Sequence, residues 1–171
     1  TIEYLGMRTQ LLLTLDLEQT YWRTFLSEVR LFPEVREFVQ DLKSAGIKTA
    51  IITDLTAQLQ FRKIIYFGLD DVFDYVVTSE EAGFDKPAPN AFNIAMEKLN
   101  TTTDETWLIG DNVQADIQGA KSFGLTALQK LHLGVERGTG KLLPDASFSH
   151  FTELRAYFRK QGWINPLKYS V

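Results

Sequence analysis

The stretch Trp107-Leu-Ile-Gly-Asp-Asn-Val-Gln-Ala-Asp-Ile-Gln-Gly-Ala120 leaves few architectures open. It begins as an apolar run of strand length, closed by Gly110 and Asp111. Val113, Ile117 and Ala120 then recur at i, i+4 and i+7, which is one face of a helix. A buried strand feeding straight into a helix is the unit of an α/β fold, and such folds bind ligands beyond the carboxyl ends of their strands. Asp111 and Asp116 are carried on that turn. Hard cations such as Mg²⁺ take carboxylate oxygens together with water and substrate phosphate, so the pair suits a metal site. It equally suits helix capping, a common task for Asp.

The rest of the chain repeats the alternation. Pro33 fits the first turn of a helix with Val35, Phe38, Val39 and Leu42 on one face, stopped by Gly46. Ile47–Thr53 reads as a strand and Asp54–Phe67 as a helix ending at Gly68. Phe73–Thr78 is the next strand, and a loop from Ser79 to Asn90 leads to a helix with Phe92, Ala95, Met96 and Leu99 on its inner face. Then come a strand Thr106–Ile109, a helix Val113–Phe123, a strand Leu125–Leu131, and a last strand or turn plus helix within Phe148–Phe158. This pattern predicts a doubly wound parallel sheet, Rossmann-like, over 31–160, with right-handed crossovers. Residues 1–30 read as helical, from the spacing of Tyr21, Trp22, Phe25, Leu26 and Val29, and 161–171 form a tail with Trp163, Pro166 and Tyr169.

Composition narrows the function. The 171 residues are 44% hydrophobic, enough for one full core. A net charge of −4 gives no electrostatic footprint for nucleic acid. The absence of Cys excludes disulfides, thiol nucleophiles and Cys-based zinc sites, and His132 and His150 stand apart. No apolar run is long enough to span a membrane and no signal peptide opens the chain, so the expectation is a cytoplasmic protein. A start at Thr1 without Met suggests a fragment. Oligomeric state is not legible.

Thr53 closes one strand just before a helix, where a hydroxyl and helix-start N–H groups can hold phosphate oxygens or where the Thr can serve as an N-cap. Lys86, in Asp85-Lys-Pro-Ala-Pro-Asn90, is held out of helical geometry by Pro87 and can point a fixed positive charge into the strand-end rim; a solvated surface lysine is the alternative.

Thr53, Lys86, Asp111 and Asp116, each following a different strand, resemble the second, third and fourth motifs of the haloacid dehalogenase superfamily. Lys-Pro-x-Pro-x-x-Phe at 86–92 and Gly-Asp-x-x-x-x-Asp at 110–116 carry the likeness, which runs from about Leu31 to Leu131. The segment Leu31-Phe-Pro-Glu-Val-Arg-Glu-Phe38 and Thr78-Ser-Glu-Glu-Ala-Gly83 look like those of its phosphatase members. The resemblance implies phosphoryl transfer to water through an aspartyl-phosphate, with Mg²⁺ as cofactor and a small phosphorylated metabolite, a sugar phosphate or nucleotide, as substrate. On that likeness Asp111 and Asp116 serve the metal, Asp116 directly or through Lys86 or water. Lys86 steadies nucleophile and phosphate, Thr53 binds phosphoryl oxygens, and Asp54 is a further substrate contact. A 2-haloacid dehalogenase, or a truncated domain kept for binding or assembly, are the rival readings.

The family's first motif, Asp-x-Asp-x-Thr at the end of an apolar strand, is missing. Leu11-Leu-Leu-Thr-Leu-Asp16-Leu-Glu18 is the nearest approach, with Asp16 as nucleophile and Glu18 as general acid/base. The competing reading makes Asp16 the N-cap of a helix belonging to a partial cap domain over 1–30, and it places the nucleophile upstream of Thr1. Dropping that strand would leave unpaired edges in the sheet. Gly134-Val-Glu-Arg-Gly-Thr-Gly-Lys141 lacks the spacing of a phosphate-binding loop and reads as a connection, and both histidines read as structural or solvated.

Overall fold

The computed structural model describes residues 11–54 and 56–165. The chain divides into two compact units, Thr1–Leu31 and Phe32–Val171. In the first, α1 (Leu11–Glu28) is one continuous helix. Tyr21 and Trp22 meet edge-on at 5.1 Å, and Trp22 meets Phe25 at 5.6 Å. Leu11–Leu15 is therefore not a strand. Asp16 and Glu18 sit inside a helix that starts five residues before Asp16, so Asp16 neither ends a strand nor caps this helix.

The second unit alternates helix and strand: α2 (Val35–Ser44), β1 (Ala50–Thr53), α3 (Ala57–Tyr66), β2 (Tyr75–Thr78), α4 (Ser79–Ala82), α5 (Asn90–Leu99), β3 (Trp107–Gly110), α6 (Gln118–Phe123), β4 (Thr126–Lys130), β5 (Ala146–Phe148) and α7 (Phe151–Lys160). Every pairing is parallel: β1 with β2 (Ile52 opposite Val77), β3 with β4 (Ile109 opposite Leu128), and β4 with β5 (Leu128 opposite Ala146). The ladders form two groups, β1-β2 and β3-β4-β5. Among the described residues, β1 and β3 thus have one strand neighbour each. Ile52 of β1 and Leu108 of β3 nevertheless pack against one cluster, Phe92, Ile117, Ala120, Leu125 and Ala127.

Helices cover both faces. Leu128 joins Phe38, Val39 and Leu42 of α2 and Leu154 and Phe158 of α7, whereas its neighbour Ala127 joins Phe92 and Ile117. Successive strand residues point to opposite faces, so this split of adjacent residues is what a doubly covered strand requires. Arg155 of α7 ties the first face together. Its guanidinium reaches Asp41 of α2 at 2.9 Å and Glu34 at 3.1 Å, and Arg159 also reaches Asp41 at 3.0 Å. Burial opposes the Arg155 charge, but bonds to Asp41 and Glu34 outweigh it and raise its pKa.

Several boundaries moved, each for a local reason. Glu34 takes a left-handed backbone (φ 63°) while its side chain bonds Arg155, so α2 begins at Val35 and Pro33 stands in the turn before it. The first two strands are shorter than predicted, because Asp74 Oδ2 accepts from the Thr49 N–H at 2.7 Å in place of a ladder partner. The loop after β2 opens with a short helix, α4, capped by the Thr78 hydroxyl, which accepts from Glu81 N. The predicted helix from Val113 starts as a π-helical turn, Val113–Ile117, before α6. In the tail, Trp163 packs edge-on to Trp107 at 4.8 Å and Ile164 is buried in the core; Pro166 and Tyr169 lie outside the described residues.

Candidate active site

The site is built on the carboxyl ends of β1 and β3. At the first, Thr53 ends the strand partly buried, and Asp54 follows it. Thr53 is not a helix cap: Thr56 precedes α3, and the Thr53 hydroxyl lies 3.3 Å from the Asp54 carbonyl. At the second, Gly110 ends β3 and Asp111 begins the turn. The capping there is done by Asn112, whose Oδ1 accepts from Gln114 N and Ala115 N, both at 2.9 Å. That leaves both acids free of the capping role.

Asp116 folds back onto the strand it follows. Its Oδ2 accepts from Asn112 N at 3.1 Å, and a Cβ placed on Gly110 would come within 2.5 Å of Asp116 Cβ and Cγ. Gly110 is thus needed for close approach, not for an unusual φ. Lys86 spans the two strand ends. Its ammonium lies 2.8 Å from Asp116 Oδ1 and donates to the Ile52 carbonyl at 3.1 Å, while its backbone N–H donates to Asp54 Oδ1 at 3.0 Å. The Lys86 and Asp116 side chains are only 12% and 9% exposed, so this is a desolvated pair and not a surface contact. Lys86 is therefore no solvated surface lysine, and Asp54 braces its loop.

Asp111 faces the other way along the rim. Its Oδ2 lies 2.9 Å from His132 Nε2, just beyond β4, with the carboxylate half exposed. A carboxylate only accepts, so Nε2 carries the proton in this contact. Among the described residues no hydrogen bond or ion pair joins Asp111 to Thr53, Lys86 or Asp116. Backbone position fixes it, with its carbonyl accepting from Gln129 Nε2 at 3.3 Å. Gln129 is fully buried, and its amide also donates to Glu136 O and accepts from Gly138 N, both at 2.9 Å. The Gly134–Lys141 segment is accordingly a connection pinned to β4.

Sequence reasoning missed Gln129, Lys130 and His132. The signal was present: polar residues interrupt an apolar strand at its carboxyl end, the rim where ligands bind. Lys130 is 5% exposed, and burial lowers its pKa against the opposing pull of Asp111 and Glu153. Its ammonium donates to Leu131 O at 2.7 Å and lies 4.2 Å above the Phe32 ring. Among the described residues no three His, Cys, Asp or Glu side chains cluster as a metal site. The donors at hand suit Mg²⁺, which needs only one or two carboxylates when phosphate and water complete its shell.

Parallel strands, helices on both faces and this polar rim define a Rossmann-like α/β core with charged side chains gathered at its strand ends. The chain belongs to the haloacid dehalogenase-like hydrolase family, whose profile it matches over residues 1–129. It is 39% identical over 111 residues to a ribulose-1,5-bisphosphate 5-phosphatase of Halopiger xanaduensis, covering 65% of this chain and 46% of that one. It is 32% identical over 133 residues to a glyceraldehyde 3-phosphate phosphatase of Methanocaldococcus jannaschii, covering 78% and 56%. Among solved structures, the HAD phosphatase from Thermococcus onnurineus superposes with a TM-score of 0.71 at 29% identity, covering 80% of this chain and 61% of that one. The chain spans about half the length of the curated relatives it matches.

Proposed function

We propose that the whole protein is a Mg²⁺-dependent phosphatase acting on a small phosphomonoester of the sugar-phosphate kind. The observation that carries this reading is the Lys86 ammonium, held between Ile52 O and Asp116 Oδ1 and so fixed at the junction of the two strand ends. A desolvated cation there favours a phosphate dianion and the charge that spreads over its oxygens during transfer. The names of the relatives support a phosphorylated sugar or triose as substrate.

In this reading the Thr53 hydroxyl donates to a phosphoryl oxygen and Lys86 neutralises a second. The attacking carboxylate lies outside the described residues, since Asp16 and Glu18 are helix residues of α1. Its oxygen bonds phosphorus as the ester P–O bond breaks and the leaving alcohol takes a proton. Water then attacks phosphorus, losing a proton, as the bond between phosphorus and the carboxylate oxygen breaks, which frees inorganic phosphate and returns the carboxylate. Asp111 is the carboxylate that fits as a Mg²⁺ ligand, being half exposed on the rim. Asp116, with both oxygens already engaged, supports the site through Lys86 and Asn112. Bound there, the ion would supply positive charge against the transferring phosphoryl group.

Among the described residues no helix is long and apolar enough to cross a membrane. We place the protein in the cytoplasm, with a small metabolite as its partner and neither nucleic acid nor a membrane. The test is hydrolysis of p-nitrophenyl phosphate by the full-length protein with and without Mg²⁺. Turnover abolished by chelation supports the reading. Metal-independent release of halide from a 2-haloacid would replace it with the dehalogenase.

A further inference from the structure

Beside Asp111 the same rim opens into a pocket of about 430 Å³, lined by Phe32, Lys130, His132, His150 and Phe151 among others. It lies beyond the carboxyl ends of β4 and β5, and all of these residues belong to the Phe32–Val171 unit. Three features converge on it. The first is Lys130, whose ammonium is almost withdrawn from solvent yet makes no ion pair among the described residues, having only the Leu131 carbonyl and the Phe32 face. A buried ammonium held by a carbonyl and a ring retains donor capacity and unbalanced charge. The second is the start of α7, a ten-residue helix whose first residue, Phe151, lines the pocket and whose N-cap, His150, makes no side-chain capping bond, so the positive end of the helix dipole lies at the pocket's edge. The third is His132, which lines the pocket while its Nε2 bonds Asp111, so that a single imidazole separates pocket from rim.

We infer that this pocket seats a second acidic group of the substrate, a phosphate or carboxylate carried a few bonds from the phosphoryl group being transferred. The inference rests on the phosphatase reading, because it is Asp111 and Lys86 that place the reacting phosphoryl next door. The opposing charges are Asp111 beyond β3 and Glu153 in the first turn of α7, and Glu153 is partly turned to its own helix start, accepting from Ser149 N at 3.3 Å. The volume falls within the range of small-molecule sites and exceeds what a lone ion would need.

The test uses three probes that differ only in the remote group: propyl phosphate, phosphonooxypropanoate and propanediol bisphosphate. Affinity for the full-length protein, chelated to prevent turnover, is measured by calorimetry, with amide shifts followed by NMR. A charge-assisted contact in a buried site should make one or both doubly acidic probes bind at least about tenfold more tightly than propyl phosphate. Those probes alone should move the amides of residues 130–133 and 149–151. Which of the two is preferred tells phosphate from carboxylate. Lys130→Met should bring all three probes to within about twofold of one another while leaving propyl phosphate unchanged, and Lys130→Arg should keep the preference. Equal affinities in the wild-type chain, with no shifts at those amides, overturn the inference and leave the phosphatase reading standing. Absence of Mg²⁺-dependent p-nitrophenyl phosphate hydrolysis by the full-length protein overturns the phosphatase reading and this one with it. The amide shifts need no variant, so a misfolded Lys130→Met does not blunt the test.

Discussion

The Lys86 ammonium and the Asp116 carboxylate, 30 residues apart in sequence, meet at 2.8 Å with little of either side chain exposed. Removing one member of such a pair strands the other. Lys86→Met should therefore destabilise the chain by about 3 kcal/mol and abolish phosphatase turnover in the full-length protein. Urea unfolding and a steady-state assay read the two effects separately. Unchanged stability would show that the pair is solvated.

Asp111→Asn should behave differently. The side chain is half exposed and its partner His132 is partly so, which makes the pair weak in stability terms. The variant should stay within about 0.5 kcal/mol of wild type while turnover of p-nitrophenyl phosphate is lost.

Gly110→Ala tests the close approach of Asp116 to β3. A methyl group there would sit 2.5 Å from Asp116, so strand and turn must separate. A loss of about 2 kcal/mol is expected in chemical denaturation, with weakened phosphate binding because Lys86 moves with its partner.

Lys130 predicts a pH dependence. Burial lowers its folded-state pKa from 10.5, with Asp111 and Glu153 pulling the other way and His132 and His150 lining the same pocket. Between the lowered value and 10.5 the unfolded chain binds more protons at this position, so its contribution to stability rises with pH across that window and is flat below it. The stability of wild type relative to Lys130→Met should therefore climb as the pH approaches 10.5. A flat or falling difference in unfolding free energy would contradict the assigned burial.

Arg155→Met should cost about 2 kcal/mol, less than the Lys86 change, because Arg159 still holds Asp41 when Arg155 is gone.

The alternation of apolar runs with helical faces was enough to read the α/β class, and the residue types at 53, 86, 111 and 116 announced the rim. What failed was information no single segment carries. Asn112, not either Asp, caps the turn, because Asp116 is drawn back to Lys86 from a distant loop. Leu-rich residues 11–15 suit a strand locally, yet they continue into the helical spacing of Tyr21 to Phe25, and the longer period prevails. His132 looked isolated because its partner is 21 residues away across a parallel crossover. The pairing of β1 with β2 and of β3 with β4 and β5 in separate ladders answers the expectation of unpaired edges among the described residues.

Gln129 gives the rim an unusual mechanical property. One fully buried amide spans from the main chain at Asp111 to the main chain at Glu136 and Gly138. The stiffness of the acidic corner is thus borrowed from a glycine-rich connection, through the main chain of Glu136 and Gly138. A lengthened or shortened 134–141 segment would detune the corner while every rim side chain stayed unaltered.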